Sequence, residues 1–371
     1  MKITKLESFY VKPRWLFLKV HTDEGIVGWG EPVVEGRSQT VAAAVGEIGR
    51  YLIGQDPRRI EHHWQAIHRG QFYRGGPVLA SALSGIEQAL WDIVGKWLGQ
   101  PVYQLLGGAT RDCIRMYGWL HGESFGDYIE SAKVGVQSGF TAFKVGLTGA
   151  MQIVDTPAVV EENVRRFAAI RETVGPEVDV GIDFHGRVSP AMAVRLAKAL
   201  EPYQPMFIEE PVLPENVDTM VTVARSTTIP IATGERLFTK WGFREVLEKQ
   251  AAVILQPDLS HAGGILECKK IAAMAECYYG AVAPHCPLGP IALAACLQLD
   301  ACIPNFLVQE HVTLGEGYLK EPFQINDGYI PLPTRPGLGI EIDEEALAGK
   351  LYDGSWETPH LWHKDGSVAD W

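Results

Sequence analysis

Apolar and polar positions alternate over residues 2–11, and residues 15–20 read Trp-Leu-Phe-Leu-Lys-Val, so the chain predicts two strands near its start. Thr22-Asp23-Glu24-Gly25 supplies turn chemistry before a third run at 26–31, and the three runs predict a meander. The period then changes. Val41, Val45, Ile48 and Leu52 recur at helical spacing over 38–52, as do Leu79, Leu83, Ile86, Leu90, Ile93 and Trp97 over 78–98. Gly107-Gly108 closes this region.

From about residue 113 the pattern becomes a repeat of short β-rich runs, each followed by a helix-length stretch. The runs fall at 114–120, 142–145, 178–184, 206–210, 229–235, 253–258, 281–285 and 305–309. Strands alternating with helices in this number predict an α/β fold, a closed parallel TIM-type barrel of seven or eight β/α units. Neither G-x-G-x-x-G nor a P-loop is present to favour an open nucleotide-binding sheet. After residue 325 the repeat stops and a Pro/Gly-rich stretch leads to a Trp-rich end. The expected organisation is an α+β capping domain over 1–112, a catalytic barrel over 113–325, and a segment over 326–371 that returns to the cap.

Composition narrows the function. With 33 Lys plus Arg against 45 Asp plus Glu, the 371-residue chain carries a formal charge of −12. That balance opposes binding to nucleic acid or to an anionic membrane, and an anionic substrate would need a local patch or a bound cation. No stretch approaches the roughly 18 unbroken apolar residues of a membrane helix, and the start lacks the apolar core of a signal peptide. The six cysteines form no C-x-x-C and sit mostly in apolar stretches. A soluble, cytoplasmic, reduced protein is expected.

Polar residues at the ends of the β runs carry the chemistry. Asp183, Glu209, Glu235, Asp258, His285 and Glu310 each close a run, at steps of 26, 26, 23, 27 and 25 residues. One β/α unit has about that length, so each step moves one strand around the barrel and returns to the same face, where active sites of this fold lie. Any one of them alone reads as a helix cap or a solvated loop residue. Six at a repeated spacing read as a site. Three adjacent carboxylates raise each other's pKa values unless a cation joins them, and oxygen ligands suit Mg²⁺ better than Zn²⁺. Asp183, Glu209 and Glu235 are the expected Mg²⁺ ligands. Asp258 and His285 form a natural dyad, the aspartate orienting the imidazole as a base. His185, two residues after Asp183, can face the same cavity. His62, His63 and His68 lack ligand spacing, and Cys286 has no base placed on it.

The order Asp183, Glu209, Glu235, Asp258, His285 resembles the mandelate racemase subgroup of the enolase superfamily, and the resemblance runs essentially end to end. It includes Leu105-Leu106-Gly107-Gly108 and Gln256-Pro257-Asp258. Within the subgroup, Asp183-Phe184-His185-Gly186-Arg187, Phe207-Ile208-Glu209-Glu210-Pro211 and Pro284-His285-Cys286-Pro287-Leu288-Gly289-Pro290 are most similar to D-galactonate dehydratases. The resemblance implies a Mg²⁺-dependent acid-sugar dehydratase working through an enediolate, in a homo-oligomer. His285 would take the C2 proton and His185 would protonate the leaving 3-hydroxyl. Lys144 and Glu310 would hold the substrate carboxylate, and cap residues such as Tyr73 and Arg14 would contact substrate. Racemases of the subgroup carry Lys-x-Lys on the second strand. Here Lys144-Val145-Gly146 offers no second base, which weighs against racemisation. The galactonate enzymes tend to show Lys-x-Asn there, so Gly146 keeps other aldonates and aldarates open, with gluconate, arabinonate and galactarate among them. His121 and His311 are further strand-end candidates.

Overall fold

The alternating start becomes an antiparallel meander of β1 (Ile3–Val11), β2 (Trp15–Thr22) and β3 (Val27–Gly30). The helical periods become α1 (Ser38–Leu52), α2 (Ile60–Arg69) and α3 (Gly76–Leu98), followed by the short α4 (Val102–Leu105). Gly30 lets β3 lie directly on α3, because a Cβ there would stand 1.9 Å from the Gly85 carbonyl oxygen. These descriptions come from a computed structural model and cover residues 1–147 and 149–371.

The repeat is a curled parallel sheet with helices outside. Its elements are β4 (Cys113–Arg115), β5 (Gly118–Trp119), α5 (Phe125–Gln137), β6 (Ala142–Gly146), α6 (Pro157–Val174), β7 (Asp179–Asp183) and α7 (Pro190–Leu200). There follow β8 (Ile208–Glu209), α8 (Val217–Ser226), β9 (Ile231–Thr233), α9 (Thr239–Glu248), β10 (Ile254–Leu255), α10 (Ile265–Glu276), β11 (Ala281–Val282) and α11 (Pro290–Cys302). Strands β5 to β11 form one seven-stranded sheet in sequence order. Two expected strands differ. The run at 114–120 splits, and its first part, β4, pairs antiparallel with β12 (Tyr329–Pro331) from the tail. The run at 305–309 forms no named strand, yet it bonds to both ends of the sheet: the Leu307 N–H donates to the Val282 carbonyl and the Tyr117 N–H to the Gln309 carbonyl.

The barrel interior is packed. Tyr117, Ala142, Phe207, Ala232, Ile254, Ala283 and Val308, each from a different wall of the sheet, form its inner apolar layer. Gly181 on β7 makes room, since a Cβ there would meet the Phe207 ring at 2.5 Å. The tail adds α12 (Glu344–Ala348), β13 (Leu361–Trp362) and β14 (Val368–Ala369). It binds the cap through backbone hydrogen bonds from Val102 to Gly337 and from Lys12 to Lys350.

Buried carboxylates fasten cap to barrel. Glu31, just after β3, accepts from the Gly289 and Ala292 N–H groups at the start of α11, at 2.7 and 2.9 Å. Glu87 on α3 accepts from Ile265 and Leu266 at the start of α10, at 2.8 and 2.9 Å. Each thus caps a barrel helix from another domain, satisfying N–H groups that the helix itself cannot pair. Burial is the larger influence on both, pushing Glu31 up to about 8 and Glu87 up to about 7.

Candidate active site

The parallel register sets the site. Gly146 pairs with Asp183 and Asp183 with Glu209 across β6, β7 and β8, so these positions share one end of the sheet. There a cavity of about 410 Å³ opens under the cap, within the range of about 300–1,000 Å³ usual for small-molecule sites. Arg14, Lys144, Asp183, His185, Glu235, His285 and Glu310 all line it. Glu209 and Asp258 are fully buried behind that wall, each bonded to a lining residue.

Two charge networks hold these groups. In the first, the Lys144 ammonium donates to both oxygens of Glu209, at 2.7 and 2.8 Å, and lies 2.9 Å from Glu310. Gln256 donates to Glu209 at 2.7 Å; Trp119 and the Cys286 N–H donate to the two oxygens of Glu310, each at 2.7 Å. In the second, His285 Nδ1 lies 2.9 Å from Asp258 and Nε2 lies 3.2 Å from Glu235. The Asp258 carboxylate is itself held by the Ser260 N–H at 2.7 Å. Both nitrogens of His285 therefore face carboxylates, Nδ1 the buried Asp258 and Nε2 the cavity-lining Glu235.

The electrostatics follow from burial. Desolvation raises Asp183, pushes Glu209 up to about 7 and pushes Glu235 up to about 8; neighbouring carboxylates add to each rise, and Lys144 or His285 opposes it. Glu310 goes the other way. Burial alone would raise it, but Lys144 and His285 hold it down at about 2. Burial works against a proton on His285, and Glu235, Glu310 and Asp258 overcome that and raise it well above the ordinary histidine range. His185 is pushed down to about 3, first by burial and then by Arg187 and Arg236. Its backbone sits in the left-handed region at φ 56°, and its N–H donates to Asp183 at 2.6 Å.

Asp183, Glu209 and Glu235 suit a hard divalent cation by chemistry: all are oxygen donors, Asp183 and Glu209 are buried, and Lys144 and His285 offset the charge of Glu209 and Glu235. Among the described residues no three His, Cys, Asp or Glu groups stand gathered as a preformed cage. Lys144 and His285 hold two of the three carboxylates at present.

The cap contributes unevenly. Arg14 reaches the cavity wall, donating to the Pro287 carbonyl at 3.1 Å and pairing with Glu35 at 2.8 Å. Tyr73 does not reach it. Its side chain is 85% exposed and borders a different hollow between the cap helices, because Gly75 and Gly76, both at positive φ, turn the chain into α3 just beyond it. Pro77 lines the cavity instead. His121 and His311 lie outside it, stacked on Trp119 and Phe140. Sequence reasoning missed Trp119, Arg236 and Trp371, which line the cavity, and Glu210, which binds Arg236 at 2.6 and 3.0 Å. Arg236 and Glu210 each directly follow a chosen carboxylate, and that adjacency was the available signal.

Fold and site together define a β/α barrel with two histidines and several carboxylates facing one cavity. Residues 9–107 match the model of the mandelate racemase/muconate lactonizing enzyme N-terminal domain, and residues 127–346 match that of the enolase C-terminal domain-like family. The chain belongs to the mandelate racemase/muconate lactonizing enzyme family of the enolase superfamily. Among curated relatives it is similar to the D-galactonate dehydratases of Cronobacter sakazakii, at 52% identity, and Ralstonia pickettii, at 53%, with 100% of each chain covered. Among solved structures it is similar to a mandelate racemase/muconate lactonizing enzyme from Sulfitobacter sp., with TM-score 0.93, 36% identity and 100% of both chains covered. Another from Jannaschia sp. CCS1 has TM-score 0.91 and 35% identity, covering 95% of this chain and 98% of that one. No helix among the described residues is long and apolar enough to cross a membrane.

Proposed function

We propose that the protein is a Mg²⁺-dependent acid-sugar dehydratase that converts D-galactonate to 2-keto-3-deoxy-D-galactonate. The observation that carries this reading is the pairing of two histidines of opposite character in one cavity. His285 is held by Asp258 and surrounded by carboxylates; His185 is half-buried beside Arg187 and Arg236. Full-length similarity to enzymes named D-galactonate dehydratase supports the substrate.

In this reading Lys144 binds and orients the substrate carboxylate at the Glu310 end of the cavity, and His285 removes the proton from C2, since a cation on Glu235 would offset the charge that keeps His285 protonated. His185 delivers a proton to the departing 3-hydroxyl, and the resulting enol becomes the 2-keto product. His185 must carry that proton when it acts, and the carboxylate of the bound sugar is the charge that offsets the two arginines beside it. Asp183, Glu209 and Glu235 would hold Mg²⁺, whose charge would oppose the negative charge developing on the substrate carboxylate. The division at residues 112 and 325, a cytoplasmic location and assembly as a homo-oligomer belong to the same proposal.

The test is a panel of aldonates and aldarates with and without Mg²⁺, scored for 2-keto-3-deoxy products by semicarbazide. Metal-dependent turnover of D-galactonate is expected. Turnover of a different aldonate moves the substrate while keeping the chemistry, and silence across the panel overturns the proposal.

A further inference from the structure

The last twenty residues run from the cap to the barrel loops. The Tyr352 N–H donates to the Tyr10 carbonyl on β1, and the Arg14 guanidinium lies 5.3 Å from the centre of the Trp356 ring. Beyond these anchors on the cap, β13 and β14 form a hairpin beside the barrel loops. His363 Nδ1 lies 2.8 Å from Gln152 Nε2 in the segment after β6. Trp371 reaches the cavity: its ring centre is 5.2 Å from the His185 ring at an interplanar angle of 60°, and it forms part of the cavity wall.

This placement is specific. Lys144 and Glu310 mark one end of the cavity, where Trp119 also lies, 4.5 Å from the Lys144 ammonium. His185 lies just past β7's end, and Trp371 lines the same cavity with its ring tilted against the His185 ring. A substrate whose carboxylate meets Lys144 and whose C3 hydroxyl meets His185 must extend its remaining carbons past His185. An indole face there offers apolar contact to the C–H groups of a polyol chain.

We infer that Trp371 is a specificity-determining residue, the wall against which the distal carbons of the acid sugar pack; this rests on the dehydratase reading above. The terminal residue thus distinguishes substrates by what lies beyond C3, without taking part in proton transfer.

The test compares the unaltered enzyme with W371A and W371F on D-galactonate and on L-arabinonate, which matches D-galactonate through C4 and lacks its terminal hydroxymethyl group. Steady-state constants are measured with Mg²⁺, with the inhibition constant of L-arabinonate taken if it is not turned over. W371A is expected to lose about 20-fold in kcat/KM for D-galactonate, mostly through KM, and less than about threefold for L-arabinonate. W371F should recover most of the loss, and the thermal midpoint should move by less than about 2 °C. Equal losses on both sugars, or none on either, overturn the inference while leaving the dehydratase reading intact. Absence of D-galactonate turnover by the unaltered enzyme overturns both.

Discussion

Two sets of buried carboxylates do opposite work in this molecule. At the seam between cap and barrel, Glu31 and Glu87 each accept two backbone N–H groups at the start of a helix. In the cavity, Glu209 and Glu235 are held instead by side-chain cations, Lys144 and His285. In both places burial raises the carboxyl pKa. The partners differ. A helix end is fixed in place and can be satisfied only by the group that caps it, whereas an ammonium or imidazole can release a carboxylate to another cation. The kind of partner, rather than the depth of burial, separates a fastening from a reactive group.

The sharpest break in the comparison comes from the base. His285→Asn should lower dehydration by about 10³-fold or more and abolish exchange of the C2 proton in D₂O, followed by proton NMR. His185→Asn should block dehydration to a similar extent yet leave part of that exchange, because only the acid is lost. Treatment with EDTA should stop turnover and added Mg²⁺ should restore it; turnover that survives chelation would remove Asp183, Glu209 and Glu235 from the reaction. Glu209→Gln should cost at least about 100-fold in kcat, with the loss of urea stability limited because Glu310 still pairs with Lys144. Glu87→Ala should do the reverse. It strands the Ile265 and Leu266 N–H groups, costs about 1–3 kcal/mol in urea unfolding, and leaves KM in place.

The last effect is a pH dependence. Glu31 binds its proton more tightly folded, at about 8, than the ordinary value of 4.5. Its stabilising contribution is therefore complete below about 4.5 and is lost as pH rises toward about 8. Glu31→Gln cannot ionise, so the variant should gain stability relative to the unaltered protein between pH 5 and pH 8 in thermal melts. A constant difference across that range would show that Glu31 does not titrate in the fold.

Much of this arrangement was legible in the chain. The strand-end residues could be found because one β/α unit has a nearly constant length, so a regular step marks one face. The meander and the long helix α3 were legible because half-buried elements must repeat their apolar positions. Pairing between β4 and β12 was not, because it joins segments more than two hundred residues apart and no local pattern encodes it. The run at 305–309 carries strand-like residues but contributes only isolated bridges. Trp371 stayed hidden for a similar reason: the tail has no period, and only the folded path brings it to His185. Tyr73 looked like a site residue because its loop lies close in sequence to one that lines the cavity. Two glycines send it elsewhere.

The closure of the sheet at residues 305–309 also sets an order of events during synthesis. Tyr117 and its partner Gln309 are separated by roughly 190 residues. At a ribosomal rate of about 5–20 residues per second, the first edge of the sheet waits roughly 10–40 s for the segment that covers it. Throughout that interval its backbone groups are open to pairing with other nascent chains.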